Sequence, residues 1–353
     1  MEYIRSTCRR LEGHHLFLIL TSLFIVLTGV SYYTGTLVLL SALIFYISFV
    51  VGKRLYYILG LDEGDREIYK REYTFGLLLM NIGLLFLILD ILWAGGIPLF
   101  DPTSKRFLSP LYTMLSRLLI LGWAIVIASN LSLDKVRVVL YSLIFAAVVM
   151  LLGYRTGVVV LLTSTLFVLY YSNRIKNREL ILFVLGIFLL LLLLSLIRLK
   201  VVGSEGIPLL SRMDLTMSVL DIIVHNFNGV FNGYLLYCAI YSYLGMAPGP
   251  RTVIANSLGI QGVTITPTIF GEVIGDFGIL GVIPYFAILG ISMGLLYKIA
   301  ENSKGIYLGV YAVILSYLLV SIETAILDLD VIMYFILGFL LCIYAIVKKY
   351  RSC

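Results

Sequence analysis

The sequence TITPTIFGEVIGDFGILG, residues 264–281, ends the one long segment that is not predicted to consist of membrane spans joined by short loops. That segment covers residues 198–281 and begins with the basic residues Arg198 and Lys200, followed by a turn that contains glycine and proline. On both sides of it the sequence is dominated by long apolar runs. The fold prediction therefore depends on which side of a membrane this segment lies.

The composition is that of a membrane protein. Of 353 residues, 61% are hydrophobic and 13% are charged, whereas soluble domains carry about 25% charged residues. We therefore predict an all-α polytopic membrane protein that forms a single integral membrane domain over residues 1–353. The net charge of +6 then bears on orientation, and no nucleic-acid partner is predicted. The four cysteines lack metal-ligand spacing, and neither a metal site nor a cofactor is predicted.

About ten segments are predicted to be transmembrane helices, since a span needs about 20 mainly apolar residues. The first follows Arg5, Arg9 and Arg10 and shows no cleavage pattern, so it is predicted to be a retained span rather than a signal peptide. The ten segments are 16–34, 36–52, 74–94, 111–133, 138–153, 157–172, 180–198, 268–298, 306–325 and 331–347.

The basic residues decide the predicted orientation. With the N-terminus inside, most of the 26 Lys and Arg residues fall in cytoplasmic segments, in agreement with the positive-inside rule. Both termini are then cytoplasmic, and residues 198–270 form a long outward loop. Residues 230–247 are apolar enough for a short span, but a crossing there would place the basic C-terminus outside. We therefore predict that this loop contains interfacial or re-entrant helices.

A surface helix is predicted within the outward loop, beginning near Ser211. Polar residues recur along one of its faces at helical spacing, which indicates an amphipathic helix. Asp221 and His225 are four residues apart, so the carboxylate can orient the histidine and raise its basicity. They are predicted to be a catalytic pair, against the alternative of a hydrated face on an interfacial helix. The polar positions are Asp214, Ser218, Asp221, His225, Asn228 and Asn232.

Four outward arginines are candidates to bind a phosphate group: Arg155, Arg198, Arg212 and Arg251. Arg155 lies in the turn GYRTG between two short predicted spans, where a charge is costly unless it meets a partner, water or an anion. The planar guanidinium of an arginine can bind two phosphate oxygens at once, which favours an anionic ligand. The alternative is that Arg155 extends to a lipid phosphate.

Two acids, Glu272 and Asp276, enter the predicted eighth span four residues apart and share one face. Acids at the head of a span are predicted to be functional, with structural pairing to nearby arginines as the alternative. Gly271, Gly275 and Gly278 at the same end permit close helix packing.

Three motifs together resemble the O-antigen polymerase family, the membrane polymerases of oligosaccharide repeat units. They are GYRTG around Arg155, GGIPL at 95–99 and TPTIFGEVIGDFGILG at 266–281. The resemblance implies a glycosyltransferase C-like membrane fold. It also implies an enzyme that joins polyprenyl-pyrophosphate-linked oligosaccharides on the outer face of the cytoplasmic membrane without a metal. Membrane lipid, a flippase and a chain-length protein are its implied partners.

The resemblance also bears on the arginines. By position, Arg155 is similar to the arginine of the family's first catalytic outer loop. Arg198, Arg212 and Arg251 lie in what resembles the second such loop, and the choice among these three stays open.

The chemistry of a lipid-pyrophosphate donor suits this set of residues. Outward arginines are predicted to stabilise the pyrophosphate leaving group. The predicted base for the attacking hydroxyl is His225 oriented by Asp221, or else Glu272 or Asp276.

Two other functions stay open from the sequence. A ligase that moves a finished glycan from its lipid carrier to another acceptor would use the same anion site. A transporter or flippase for lipid-linked saccharides would instead need charges along several spans. The main acids inside predicted spans, Asp90 and Glu323, both lie near outer ends, which favours polymerisation over transport.

Overall fold

The computed structural model of the chain describes residues 11–61, 69–101, 103–186, 208–262 and 264–352. These residues form α-helices with two short 3₁₀ turns, and they contain no β-strand. The helices in chain order are α1 (Gly13–Leu27), α2 (Tyr32–Ile58), α3 (Tyr69–Ala94), α4 (Pro110–Ser116), α5 (Leu118–Ser129), α6 (Lys135–Met150), α7 (Arg155–Tyr171), α8 (177–186, as far as the description reaches), α9 (Pro208–Asn226), α10 (Tyr234–Tyr241), α11 (Pro250–Ser257), α12 (Thr268–Ser303), α13 (Gly305–Val320) and α14 (Leu329–Ser352).

Five stretches of the described residues are long and apolar enough to cross a membrane, and the protein is a multi-pass membrane protein. They are α2, α3, α4 together with α5, α12 and α14. Helices α1, α7 and α13 are apolar but have only 15 to 17 residues. The count of about ten spans therefore stays a prediction, and the predicted span 180–198 lies partly outside the described residues.

Helices α2 and α12 form the most extensive helix pair, and glycines allow their backbones to touch. A Cβ atom on Gly294 would lie 2.1 Å from the carbonyl oxygen of Phe49, and one on Gly52 would lie 2.2 Å from that of Ile291. Small residues at such contacts are the usual way for membrane helices to gain close packing, because burial from lipid gives little hydrophobic driving force.

Helix α12 folds back on itself at Gly278, which has φ 70° and ψ 179°. The rings of Phe270 and Phe286 stack with centroids 5.4 Å apart, although a straight helix would separate these positions by about 24 Å. Residues 268–277 are therefore a separate re-entrant arm beside the longer second arm. The predicted span 268–298 falls on this helix, which the extended ψ of Gly278 interrupts.

The two ends of the helix bundle differ. At one end the loops bond to each other: the N–H of Leu99 donates to the carbonyl of Leu151 at 3.1 Å. At the other end the ammonium of Lys53 bonds the carboxylate of Glu12, just before α1 begins. Helix α14 has 24 residues, about 36 Å, so it is long enough to run from the first of these ends to the second. We call these the loop end and the terminal end; the loop end comprises residues 95–101, 103–109, 151–154, 208–262, 264–267 and 321–328.

The predicted outward loop contains the short helix α10 and the longer helix α9. Helix α10 has 8 residues, about 12 Å, and is too short to cross a bilayer core of about 30 Å by itself. Its residues Tyr234, Tyr237 and Tyr241 stack in a row and are partly exposed. Helix α9 is described from Pro208, about one turn before the predicted start near Ser211, and proline suits the first turn of a helix.

The contact between α2 and α12 generates a stability prediction. Gly294→Ala should destabilise the protein by about 1–3 kcal/mol, because the new methyl group would overlap the backbone of α2. Gly29→Ala is the matched control, since nothing lies within 4 Å of a Cβ atom at that position. Thermal unfolding of the purified protein in detergent measures both, and equal melting temperatures would contradict the proposed backbone contact.

Candidate functional site

A cavity of about 840 Å³ opens at the loop end, and we call it the outer cavity. Several segments line it: the loop after α3, the turn before α7, helices α9 and α11, the irregular segment before α12 and the turn before α14. Its charged lining residues, among those that the structure describes, are Lys105, Arg106, Arg155, Arg212, Arg251 and Asp328. Five of the six are basic, so the cavity presents a positive field to a ligand.

Three of the four arginines predicted from the sequence line this cavity together: Arg155, Arg212 and Arg251. Arg198 lies outside the described residues. Arg155 is the first residue of α7, where the partial positive charge of a helix N-terminus adds to that of its side chain. The convergence of residues from two distant loops was the central expectation of the sequence.

Ion pairs hold two of these arginines in place. The Nε atom of Arg212 lies 2.6 Å from Oε1 of Glu323, and Nη2 of Arg251 lies 2.6 Å from Oδ2 of Asp328. Both acids belong to the turn between α13 and α14, so this turn anchors α9 and α11 over the bundle. Glu323 does not line the outer cavity, whereas Asp328 does.

The turn before α7 is shaped by Gly153, whose φ of +71° is a conformation that suits glycine. Its carbonyl accepts a hydrogen bond from Nζ of Lys105, which also lies 4.1 Å from the centre of the Tyr154 ring. The pKa of the Tyr154 phenol is raised, mainly by burial, although the nearby guanidinium of Arg117 acts in the opposite direction. The basic loop after α3 and the basic turn before α7 are thereby fixed against each other.

The predicted acids Glu272 and Asp276 lie elsewhere. Each is 1% exposed and neither lines the outer cavity. Oε2 of Glu272 accepts the N–H groups of Ile326 and Leu327 at 2.8 and 3.1 Å. The two oxygens of Asp276 accept the N–H groups of Leu235 and Leu236, both at 2.9 Å. Both carboxylates therefore bond backbone N–H groups that have no hydrogen-bond partner within a helix.

The predicted pair Asp221 and His225 also lies away from the outer cavity. Oδ1 of Asp221 accepts hydrogen bonds of 2.5 Å from the hydroxyls of Ser31 and Thr34, which tie α9 to the start of α2. Burial raises the pKa of Asp221, but these hydroxyls and the nearby His225 lower it, and the net shift is downward. Nδ1 of His225 lies 2.8 Å from the backbone oxygen of Asp221 and 3.9 Å from its carboxylate.

A smaller cavity of about 250 Å³ adjoins the outer cavity, and we call it the inner pocket. The two share six lining residues, so they lie side by side. The inner pocket alone is also lined by Arg117, which pairs with Asp330, and by Tyr317. The shared residues are Lys105, Tyr154, Thr156, Tyr243, Arg251 and Asp328.

Asp328 and Arg117 were missed by the sequence reasoning. The signal for Asp328 was present: two aspartates, Asp328 and Asp330, stand between the predicted spans 306–325 and 331–347. Arg117 was assigned to the outer end of a span, and nothing in its neighbourhood indicates that it pairs with a residue more than 200 positions away. In the described part of the chain no group of three His, Cys, Asp or Glu side chains could hold a metal ion.

Comparison with known proteins gives relatives and a family. The chain is 50% identical over 341 residues to "Uncharacterized protein MJ0419" of Methanocaldococcus jannaschii, covering 96% of each chain. It is 27% identical over 278 residues to "Uncharacterized protein MJ0420" of the same organism, covering 76% of this chain and 65% of that one. No solved structure matches. The model of the family described as "Putative O-antigen polymerase" matches residues 10–335, and the chain belongs to this family.

Proposed function

We propose that the protein polymerises polyprenyl-pyrophosphate-linked oligosaccharide repeat units. The observation that carries this proposal is the outer cavity, in which basic residues from four separate segments surround one space large enough for a pyrophosphate and its neighbours. The basic residues are Lys105, Arg106, Arg155, Arg212 and Arg251. Family membership supports this class of reaction, and the basic lining of the cavity supports a role in binding the anionic leaving group.

The arginines would act on the leaving group. Transfer of a glycan breaks the bond between the anomeric carbon and the pyrophosphate oxygen, and the electron pair remains on that oxygen. Guanidinium groups that are already oriented can stabilise this charge without rearranging during the reaction. The ion pairs of Arg212 with Glu323 and of Arg251 with Asp328 supply such orientation, since each side chain is held at 2.6 Å.

We place the loop end on the outer face of the cytoplasmic membrane and both termini in the cytoplasm. Support comes from the excess of Lys and Arg at the terminal end, as the positive-inside rule requires. The lipid tail of the substrate would then lie in the outer leaflet beside the bundle, with its pyrophosphate at the level of the outer cavity.

Asp328 is the group that we propose as the base. It is the one carboxylate among the described lining residues of the outer cavity, whereas Asp221, Glu272 and Asp276 bond other parts of the protein. The acceptor oxygen would bond to the anomeric carbon while its proton moves to the Asp328 carboxylate and from there to water. His225 does not line the cavity either.

The anion site generates the first functional prediction. Arg155→Ala and Arg212→Ala should each lower polymer formation by about 10²–10³-fold, because each removes a donor to the leaving group. Arg137→Ala is the control, since this exposed arginine belongs to the start of α6 at the terminal end. Product ladders from purified protein and one lipid-linked repeat unit measure the effect. Wild-type ladders from both cavity variants would contradict the proposal.

A single transfer to a foreign acceptor without a ladder would instead indicate a ligase. Movement of the lipid-linked glycan across a proteoliposome membrane without covalent product would indicate a transporter. Both outcomes use the same purified protein and substrate as the ladder experiment.

The base generates a second prediction with a matched control. Asp328→Asn should lower kcat by about 10²–10⁴-fold, the usual contribution of a general base. Glu323→Gln breaks an arginine ion pair of the same 2.6 Å length but leaves the Arg212 guanidinium and the Asp328 carboxylate in the cavity, so it should cost much less. His225→Ala should leave kcat near the wild-type value. Equal losses in Asp328→Asn and Glu323→Gln would show that Asp328 matters only through its ion pair.

A further inference from the structure

We infer that an anionic phospholipid binds in an apolar groove between α6, α7 and α8. The groove has a volume of about 470 Å³, within the range of about 300–1,000 Å³ that is typical of ligand sites. It lies toward the terminal end, since Leu169 near the end of α7 and Glu179 near the start of α8 line it. It shares no described lining residue with the outer cavity, so it is a separate site for a different ligand.

The inner wall of the groove offers a ligand no free hydroxyl. The hydroxyls of Ser142 and Thr165 reach this wall but are bonded within the protein. Oγ of Ser142 donates to the carbonyl of Val138 and accepts the indole N–H of Trp123, both at 2.8 Å. Oγ1 of Thr165 donates to the carbonyl of Leu161 at 2.9 Å. A sugar or a hydrated ion would lose hydrogen bonds on entering the groove, whereas a hydrocarbon chain would not.

The groove is open on one side. Leu143 of α6 and Leu182 of α8 line it and are 46% and 67% exposed. Atoms that line an empty apolar space lose the dispersion contacts that a filled space would give them. In a bilayer, an acyl chain can enter from this open side and restore those contacts.

Glu179 lies at the terminal end of the groove, and its carboxylate already has partners. Oε1 accepts a hydrogen bond from Nζ of Lys135, and Oε2 accepts one from the backbone N–H of Lys176, both at 2.8 Å. The acid therefore fixes the start of α8 against the start of α6, and it does not call for a cationic ligand.

Basic side chains outnumber acidic ones around this end of the groove. Arg178 lies four residues before Leu182 on the same face of α8, is exposed, and forms no ion pair within the described part of the chain. Basic pockets between membrane helices bind the headgroups of anionic lipids. Residues 134–137 and 173–179 together contain the basic residues Lys135, Arg137, Arg174, Lys176 and Arg178 and the acids Asp134 and Glu179.

The lipid carrier of the glycan fits this site less well than a phospholipid. Its pyrophosphate is proposed to lie beside Arg155, at the other end of α7, and the 17 residues of this helix span about 26 Å. The tail of the carrier alone would leave the basic residues around the groove without an anion. A phospholipid places its phosphate beside Arg178 and an acyl chain in the groove at the same time.

Trp123 provides the readout, because its indole bonds Ser142 on the groove wall and is 4% exposed. The chain has two tryptophans, so Trp93→Phe leaves Trp123 as the single fluorophore. The full chain with this change is reconstituted in phosphatidylcholine bilayers, and phosphatidylglycerol with brominated acyl chains is added in steps. Bromine quenches an indole close to it. We expect brominated phosphatidylglycerol to quench Trp123 more strongly than brominated phosphatidylcholine at the same mole fraction.

The headgroup is tested by Arg178→Gln in this background. The mole fraction for half-maximal quenching should rise about fivefold, the factor that one basic residue contributes near an anionic membrane surface. Arg71→Gln is the matched control, since Arg71 is also exposed but belongs to the start of α3. It should leave the titration unchanged.

The acyl chain is tested by Gly186→Phe, which places a ring in the groove. Nothing lies within 4 Å of a Cβ atom at Gly186, so the protein should tolerate the change. Quenching by phosphatidylglycerol should then fall to the level of phosphatidylcholine. Gly29→Phe is the matched control, because a Cβ atom there is equally free but lies outside the groove.

Two results would overturn the inference: equal quenching by the two lipids, or full selectivity for phosphatidylglycerol in Gly186→Phe. Competition identifies the occupant, since unlabelled phosphatidylglycerol should relieve the quenching. Relief by polyprenyl phosphate but not by phosphatidylglycerol would assign the groove to the carrier and would also overturn the inference.

Discussion

Backbone that leaves a helix inside the apolar layer must find its hydrogen bonds within the protein, and buried carboxylates meet this need at the loop end. Glu272 lies six residues before the turn at Gly278, about 9 Å below it, and accepts two N–H groups from the turn before α14. Asp276 does the same for the start of α10, and Asp90 for Ser109 at the start of α4. The irregular segments that build the cavity are held by these three acids.

The fold-back of α12 makes this arrangement possible. A straight helix would carry Glu272 and Asp276 above the bundle, into water. Because the chain reverses at Gly278, the first arm returns into the bundle, and Phe270 packs against Phe286 of the second arm. The loop after α9 covers the reversal, and it is held there by hydrogen bonds of 2.8 Å from the N–H of Gly229 to the carbonyl of Ile274 and of 3.0 Å from the N–H of Phe231 to that of Gly275. The loops over the cavity thus pack against the two arms of α12.

The sequence allowed the class of fold and part of the site to be predicted. Composition indicated a helical membrane protein, and charge bias grouped Arg155, Arg212 and Arg251 on one side, where they do line one cavity. The reversal at Gly278 could not be predicted, because glycine is also frequent in straight membrane helices, where it permits close packing. The structural roles of Glu272 and Asp276 could not be predicted either. An acid that bonds backbone N–H groups and an acid that contacts substrate look the same in a sequence.

The same limit explains why Asp328 was missed. The acids at the loop end fall into two groups. Acids that bond backbone, such as Glu272, lie under the loops, whereas Asp328 and Asp330 bond arginines. The outer cavity keeps five basic side chains against the one carboxylate of Asp328 among its described lining residues. We expect this excess of positive charge to attract a pyrophosphate group and to hold it within reach of Asp328.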